Sequence, residues 1–167
     1  MFNIGDLIIY SAHGICRIDD ICKNTYFGVT KDYYVLHPME NYKLKISTPV
    51  DNDKVIMQGL LNRNEAEEIL QSFKLPGVSW IELDNQRTQM YYDVIRKGNR
   101  REIANIANTL MRKKNETKKY RRKFQERDDK LLTFIQSILF EELALALNTT
   151  SEVISKKITK LIIENEY

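Results

Sequence analysis

The sequence is poor in the residue types that carry most enzyme and metal chemistry, with two cysteines, two histidines and one tryptophan in 167 residues. Cys16 and Cys22 form no Cys-x-x-Cys pair and have no histidine cluster beside them, which excludes the usual zinc spacing and a redox motif. They read as reduced, small packing residues. His13 and His37 fall in a strand-rich region and read as turn or surface residues rather than catalysts. The six glycines stand singly, so no loop is built to cradle a phosphate, and neither a serine elbow nor a His-Glu-x-x-His pair occurs. No catalytic residue, metal ligand or small-molecule substrate is expected. Also absent is any run near the roughly 20 apolar residues needed to span a bilayer. Met1–Asp6 lacks the basic start and apolar core of a signal peptide, so a cytoplasmic protein without membrane contact is expected.

What the chain does have is charge in an uneven distribution. The formal net charge is only +3, and Met1 to Leu60 holds six basic against seven acidic residues. Between Arg96 and Lys123, however, twelve Lys and Arg face only Glu102 and Glu116. Such asymmetry points to a polyanionic partner for the second half alone.

The first 55 or so residues read as short, tyrosine-rich strands: Leu7–Tyr10, Ile15 to Ile21, Tyr33–Leu36 and Leu44–Ser47, with turns at Gly5-Asp6, His13-Gly14 and Gly28. So short a set of strands satisfies its edges best by curling into a small barrel. Beyond Pro49-Val50-Asp51-Asn52 the apolar spacing changes to threes and fours. Helices are expected near 65–73, 83–97, 100–114, 128–147 and 150–164, with capping boxes at Asn64 with Glu67, Asn99 with Glu102, and Thr149 with Glu152. Pro76-Gly77 ends the first helix and leaves Trp80 on or beside a loop. The expected architecture is α+β: an SH3- or Tudor-like β-barrel over 1–57, then an all-α domain of about five helices over 58–167.

Arg100, Arg101, Arg112, Lys113, Lys114, Lys118, Lys119, Arg121 and Arg122 are the candidate contacts to nucleic acid, because each cation set against a phosphate releases counterions and adds affinity. The bland alternative is a solvated helix face, which would usually intersperse acids. Contacts of this kind position a protein without reading sequence. Trp80, with Arg87 in the next helix, is either a packing anchor or an apolar wedge against a base step.

Gly5-Asp6-Leu7-Ile8-Ile9-Tyr10, followed by His13-Gly14-Ile15-Cys16, resembles the opening of the RNA polymerase-interaction domain of the CarD/CdnL family. Tyr33–Leu36 and Pro49–Asn52 resemble its later strands. Trp80-Ile81, Arg87, Gly98–Ile103, Thr109-Leu110 and Glu142–Leu145 follow the pattern of CarD-like proteins from low-GC Gram-positive bacteria. The resemblance implies a Tudor-like domain docked on the polymerase β subunit and a helical domain touching promoter DNA at the upstream edge of the bubble. It also implies a tryptophan wedge that slows bubble collapse, and no cofactor.

Three departures accompany it. Counted back from Gly98, the wedge position is Asp84, with Trp80 four residues earlier. A Glu-Lys pair of many members is replaced by Asp128-Asp129-Lys130, and an arginine set against polymerase by Ser47, with Lys45 as its substitute. Lys23, Lys45 and Ser47 are the candidate polymerase contacts. Two rivals to this reading are a free-standing basic nucleic-acid-binding module that needs no polymerase, and a purely protein-binding adaptor.

Overall fold

The computed structural model describes residues 1–10 and 13–166. They form two compact units, Met1–Leu60 and Leu61–Tyr167, each with its own core.

The first unit is an antiparallel sheet of β1 (Leu7–Tyr10), β2 (Ile15–Tyr26), β3 (Val29–Pro38), β4 (Ile46–Pro49) and β5 (Met57–Gly59), in the order β4-β3-β2-β1-β5. Its core is Ile8, Tyr10, Cys16, Ile18, Tyr34 and Leu36. Ile46 of β4 and Met57 of β5 pack against that same cluster although they lie on opposite edges of the sheet. Laid flat, five strands spaced about 4.8 Å apart would hold those edges roughly 19 Å from each other. The sheet therefore curls round one core, as the Tudor-like expectation requires. A bulge between Ile18 and Asp20 assists the bend. Cys16 is buried with its thiol pushed up to about 11 by desolvation, which suits an inert packing residue. β5 escaped the sequence reading because three residues cannot display an alternation, and Leu44 and Lys45 lie outside β4.

The second unit comprises α1 (Arg63–Ser72), α2 (Asp84–Lys97), α3 (Arg100–Lys119), α4 (Glu126–Ile135), α5 (Glu141–Ala146) and α6 (Ser151–Glu164). A π-helical turn, Gln136–Phe140, joins α4 to α5, so the unit has five rods. The joined rod carries Leu131, Leu132, Ile135, Leu139, Phe140 and Leu143 into the core, and no single described helix is long and apolar enough to cross a membrane.

Two of the expected caps shift. Asn62 and Glu65 form the box of α1, with the Glu65 amide donating to Asn62 Oδ1 at 2.9 Å and the Asn62 amide to Glu65 Oε2 at 2.8 Å. Asn64 is inside the helix. Two Asn-x-x-Glu frames overlap there, and the earlier one places Ala66, Ile69 and Leu70 against the core. Asn99 caps α3, accepting from the amides of Arg101 and Glu102, which is the asparagine half of the expected box. Thr150 rather than Thr149 caps α6, its side chain accepting from the Val153 amide, while the Thr149 amide donates to Ala144 O at 2.9 Å in the end of α5. That end turns through Asn148 at φ 53°.

Candidate nucleic-acid and polymerase interfaces

The loop carrying Trp80 is pinned to α3. Thr109 Oγ1 donates to Val78 O at 2.9 Å, and a Cβ on Gly77 would sit 2.2 Å from the Thr109 hydroxyl oxygen, so only glycine permits this approach. Trp80 is thereby half-buried against the helical core. The Arg87 guanidinium lies 4.1 Å from its ring centroid and the Lys113 ammonium 5.2 Å. The tryptophan packs partly buried against this core and lines an open groove that includes Thr109, Lys113, Lys119 and Tyr120.

Arg87 departs from its expected role as a DNA contact. It is buried, and it donates to both oxygens of Asp128 at 3.0 and 2.6 Å, to Asp84 at 2.8 Å and to Ile81 O at 2.6 Å. Both partners of the Arg87–Asp128 pair are only 2% exposed. Desolvation pulls the guanidinium pKa down, and the bonds to Asp128 and Asp84 more than offset it. With its donors committed inside the protein, Arg87 ties α2 to α4 and cannot reach a phosphate. Asp128, one of the departures noted above, is the residue that holds it.

Arg100 and Arg112 are likewise committed inward. Arg100 donates to Glu142 through two nitrogens at 3.3 and 3.0 Å, and the buried Glu142 also accepts from the Leu61 amide at 3.0 Å. Arg112 donates to Asn108 Oδ1 at 2.8 Å, to Asn165 O at 2.8 Å and to Phe73 O at 3.1 Å. Phe73 and Asn165 are the C-caps of α1 and α6. One guanidinium thus satisfies carbonyls at two helix C-termini, where positive charge is also favoured by the helix dipoles. Sequence reasoning missed Glu142, Asn108 and Asp128 as the partners because each is distant in the chain or unremarkable in type.

The remaining cations face outward. Lys114 pairs with Asp129, and Lys113 with Glu116 at 3.2 Å. Arg101, Lys118, Lys119, Arg121 and Arg122 are exposed, and among the described residues no carboxylate pairs with any of them. Four of these five gather at the end of α3. There the chain turns through Arg121 at φ 52°, and the Arg122 amide donates to Thr117 O at 2.7 Å. This closure is usually made with glycine, so an arginine there holds an unfavourable backbone angle.

In the first unit, Lys23, Lys45 and Ser47 are all exposed. Ser47 lies on the edge strand β4, with Lys45 just before it. Ser47 is opposite Val35, and Lys23 is opposite Asp32, three residues along β3. An odd separation sends the two side chains to opposite faces, so the structure does not bring Lys23 together with Ser47.

Comparison with known families divides the chain as the fold does. Residues 2–60 match the CarD-like/TRCF RID domain and residues 68–159 match the CarD C-terminal domain. CarD-like families are non-enzymatic transcription factors that interact with RNA polymerase. With one match on each folded unit, and the two in the order the motifs suggested, the chain belongs to the CarD family.

Proposed function

We propose that this protein binds the β subunit of RNA polymerase through its first unit and promoter DNA through its second, thereby modulating open-complex stability at initiation. The observation that carries the DNA half is the group of exposed, carboxylate-free cations at the end of α3: Lys118, Lys119, Arg121 and Arg122. Beside it, the partly buried Trp80 lines an open groove together with Lys113 and Lys119. Trp80 contributes as a stacking surface on that rim rather than as an inserted wedge, because most of its ring is already spent on packing. Arg87, Arg100 and Arg112 serve as the frame.

The polymerase half is supported by the RID match and by the open outer edge of β4, where Ser47 and Lys45 stand exposed. An edge strand offers main-chain donors and acceptors to a strand of the partner. A polymerase partner also supports a cytoplasmic setting, and the reading needs no cofactor. A protein that grips polymerase and DNA together binds the open complex more tightly than either component, and so shifts its population by mass action.

The test is the lifetime of open complexes on a linear promoter after a competitor challenge, with and without the full-length protein. The expected result is a changed lifetime with the wild type and none with the fourfold variant K118E/K119E/R121E/R122E, which still binds polymerase. A wild type that binds naked duplex tightly but never polymerase would support the free-standing module instead.

A further inference from the structure

Tyr120 stands apart from the core of the second unit. It is the C-cap of α3, directly after Lys119 and before Arg121 and Arg122. The residue is 59% exposed, and among the described residues it is not one of the apolar side chains packed against the helical core. The helix end is closed by main chain: the Arg121 amide donates to Lys118 O at 3.1 Å and the Arg122 amide to Thr117 O at 2.7 Å. An apolar contact frequently accompanies such a closure, between the positions that Thr117 and Arg122 occupy. Neither of those residues is apolar, and the tyrosine ring is no part of that contact.

What the ring meets instead is positive charge. The Arg122 guanidinium lies 5.8 Å from its centroid, and Tyr120 lines the same open groove as Lys113 and Lys119. Two acids share that groove, Glu166 and Glu116, the latter held by Lys113 at 3.2 Å. Trp80 lines it as well, but that ring is partly buried and already faced by Arg87 and Lys113. Tyr120 is the more open of the two aromatic faces. Binding to phosphate is driven by cations and counterion release, to which a π-face adds nothing. Aromatic side chains set among cations are the arrangement that holds unpaired bases, because every base offers a face to stack on while the cations follow the backbone. In a closed duplex those faces are covered by the neighbouring base pairs.

We propose that Tyr120 stacks on an unpaired nucleobase, which makes the cationic end of α3 a binding site for single-stranded DNA. The inference rests on the promoter-DNA reading above and names the form of DNA that this residue takes. Lys118, Lys119, Arg121 and Arg122 supply phosphate contacts that a duplex could also use, and the ring adds the preference for a base without a partner.

Titrations of the full-length protein against a labelled DNA single strand and a fully paired duplex of equal length, at one salt concentration, separate stacking from phosphate contact. Tyr120→Leu keeps apolar bulk but removes the π-face. It should weaken binding to the single strand at least about fivefold, the lower end of the loss for one stacked base, and leave duplex binding unchanged. Tyr120→Phe keeps the ring and drops the hydroxyl, and should bind the single strand as the wild type does. An equal loss in Tyr120→Phe would make the hydroxyl a phosphate donor and overturn the inference. Equal losses of Tyr120→Leu on single strand and duplex, or no loss on either, would overturn it and leave the promoter-DNA reading intact. So would tighter binding of the wild type to RNA of the same sequence. Both variants should melt at the wild-type temperature, and a marked drop in either would make Tyr120 a packing residue instead. A wild-type protein that binds neither DNA would bring down the reading and the stacking site together.

Discussion

Arginines at the start and middle of α3 and in α2 differ sharply from the cations at the end of α3, although Arg100 and Arg112 share one basic stretch of sequence with those cations. Arg87, Arg100 and Arg112 point inward and close bonds to Asp128, to Glu142, and to the helix-end carbonyls Phe73 O and Asn165 O. Lys118, Lys119, Arg121 and Arg122 point outward with no acid to meet them. The inward group holds helices in register, and the outward group is available to a polyanion. A count of positive charge cannot separate these roles. A buried cation is worth its cost only with a partner, and an exposed one is useful to DNA only without it.

Three variants would break or sharpen that comparison. The largest effect is expected from Arg87→Ala, which leaves Asp128 buried without its partner and should cost about 3–5 kcal/mol in urea unfolding. Loss of DNA binding by a variant of unchanged stability would instead make Arg87 a direct contact. Next comes the fourfold reversal of Lys118, Lys119, Arg121 and Arg122 to glutamate. It should leave stability within about 0.5 kcal/mol while flattening the salt dependence of duplex binding by roughly 3.6 in log–log slope, at about 0.9 per phosphate contact. An unchanged slope would place the DNA surface elsewhere. The smallest effect is expected from Arg121→Gly. Glycine relieves the left-handed backbone at the end of α3 and should raise stability by about 0.5–1 kcal/mol, yet lower the salt slope by about 0.9. Opposite signs in the two measurements would show that the arginine is kept for its charge. A stability gain with undiminished DNA binding would reduce it to a helix end.

Much of this architecture is legible without coordinates, since helix and strand periods, Pro76-Gly77 and the Asn99 cap are all local signals. The expected helices fall within a few residues of those observed, except that α3 continues to Lys119 through a polar stretch with little apolar period. Three-residue β5 carries no pattern, and the caps of α1 and α6 were misplaced by one or two residues where two capping frames overlap. The candidate site was less legible. Its outer cations stand out in the sequence as a group, but nothing local marks Arg87, Arg100 and Arg112 as different from them.

The sequence by itself determined two units of different class, an apolar rod at the centre of the second, and a positive excess confined to that half. Those properties follow from the order and spacing of neighbouring residues, which act over one or two turns. Only the tertiary structure decided which cations are spent on the fold. Arg87 meets Asp128 across 41 residues and Arg100 meets Glu142 across 42, and a charge becomes structural when folding removes its water and supplies such a partner. The same holds for Trp80, whose ring is claimed by α3 and Arg87 once Gly77 lets the loop approach.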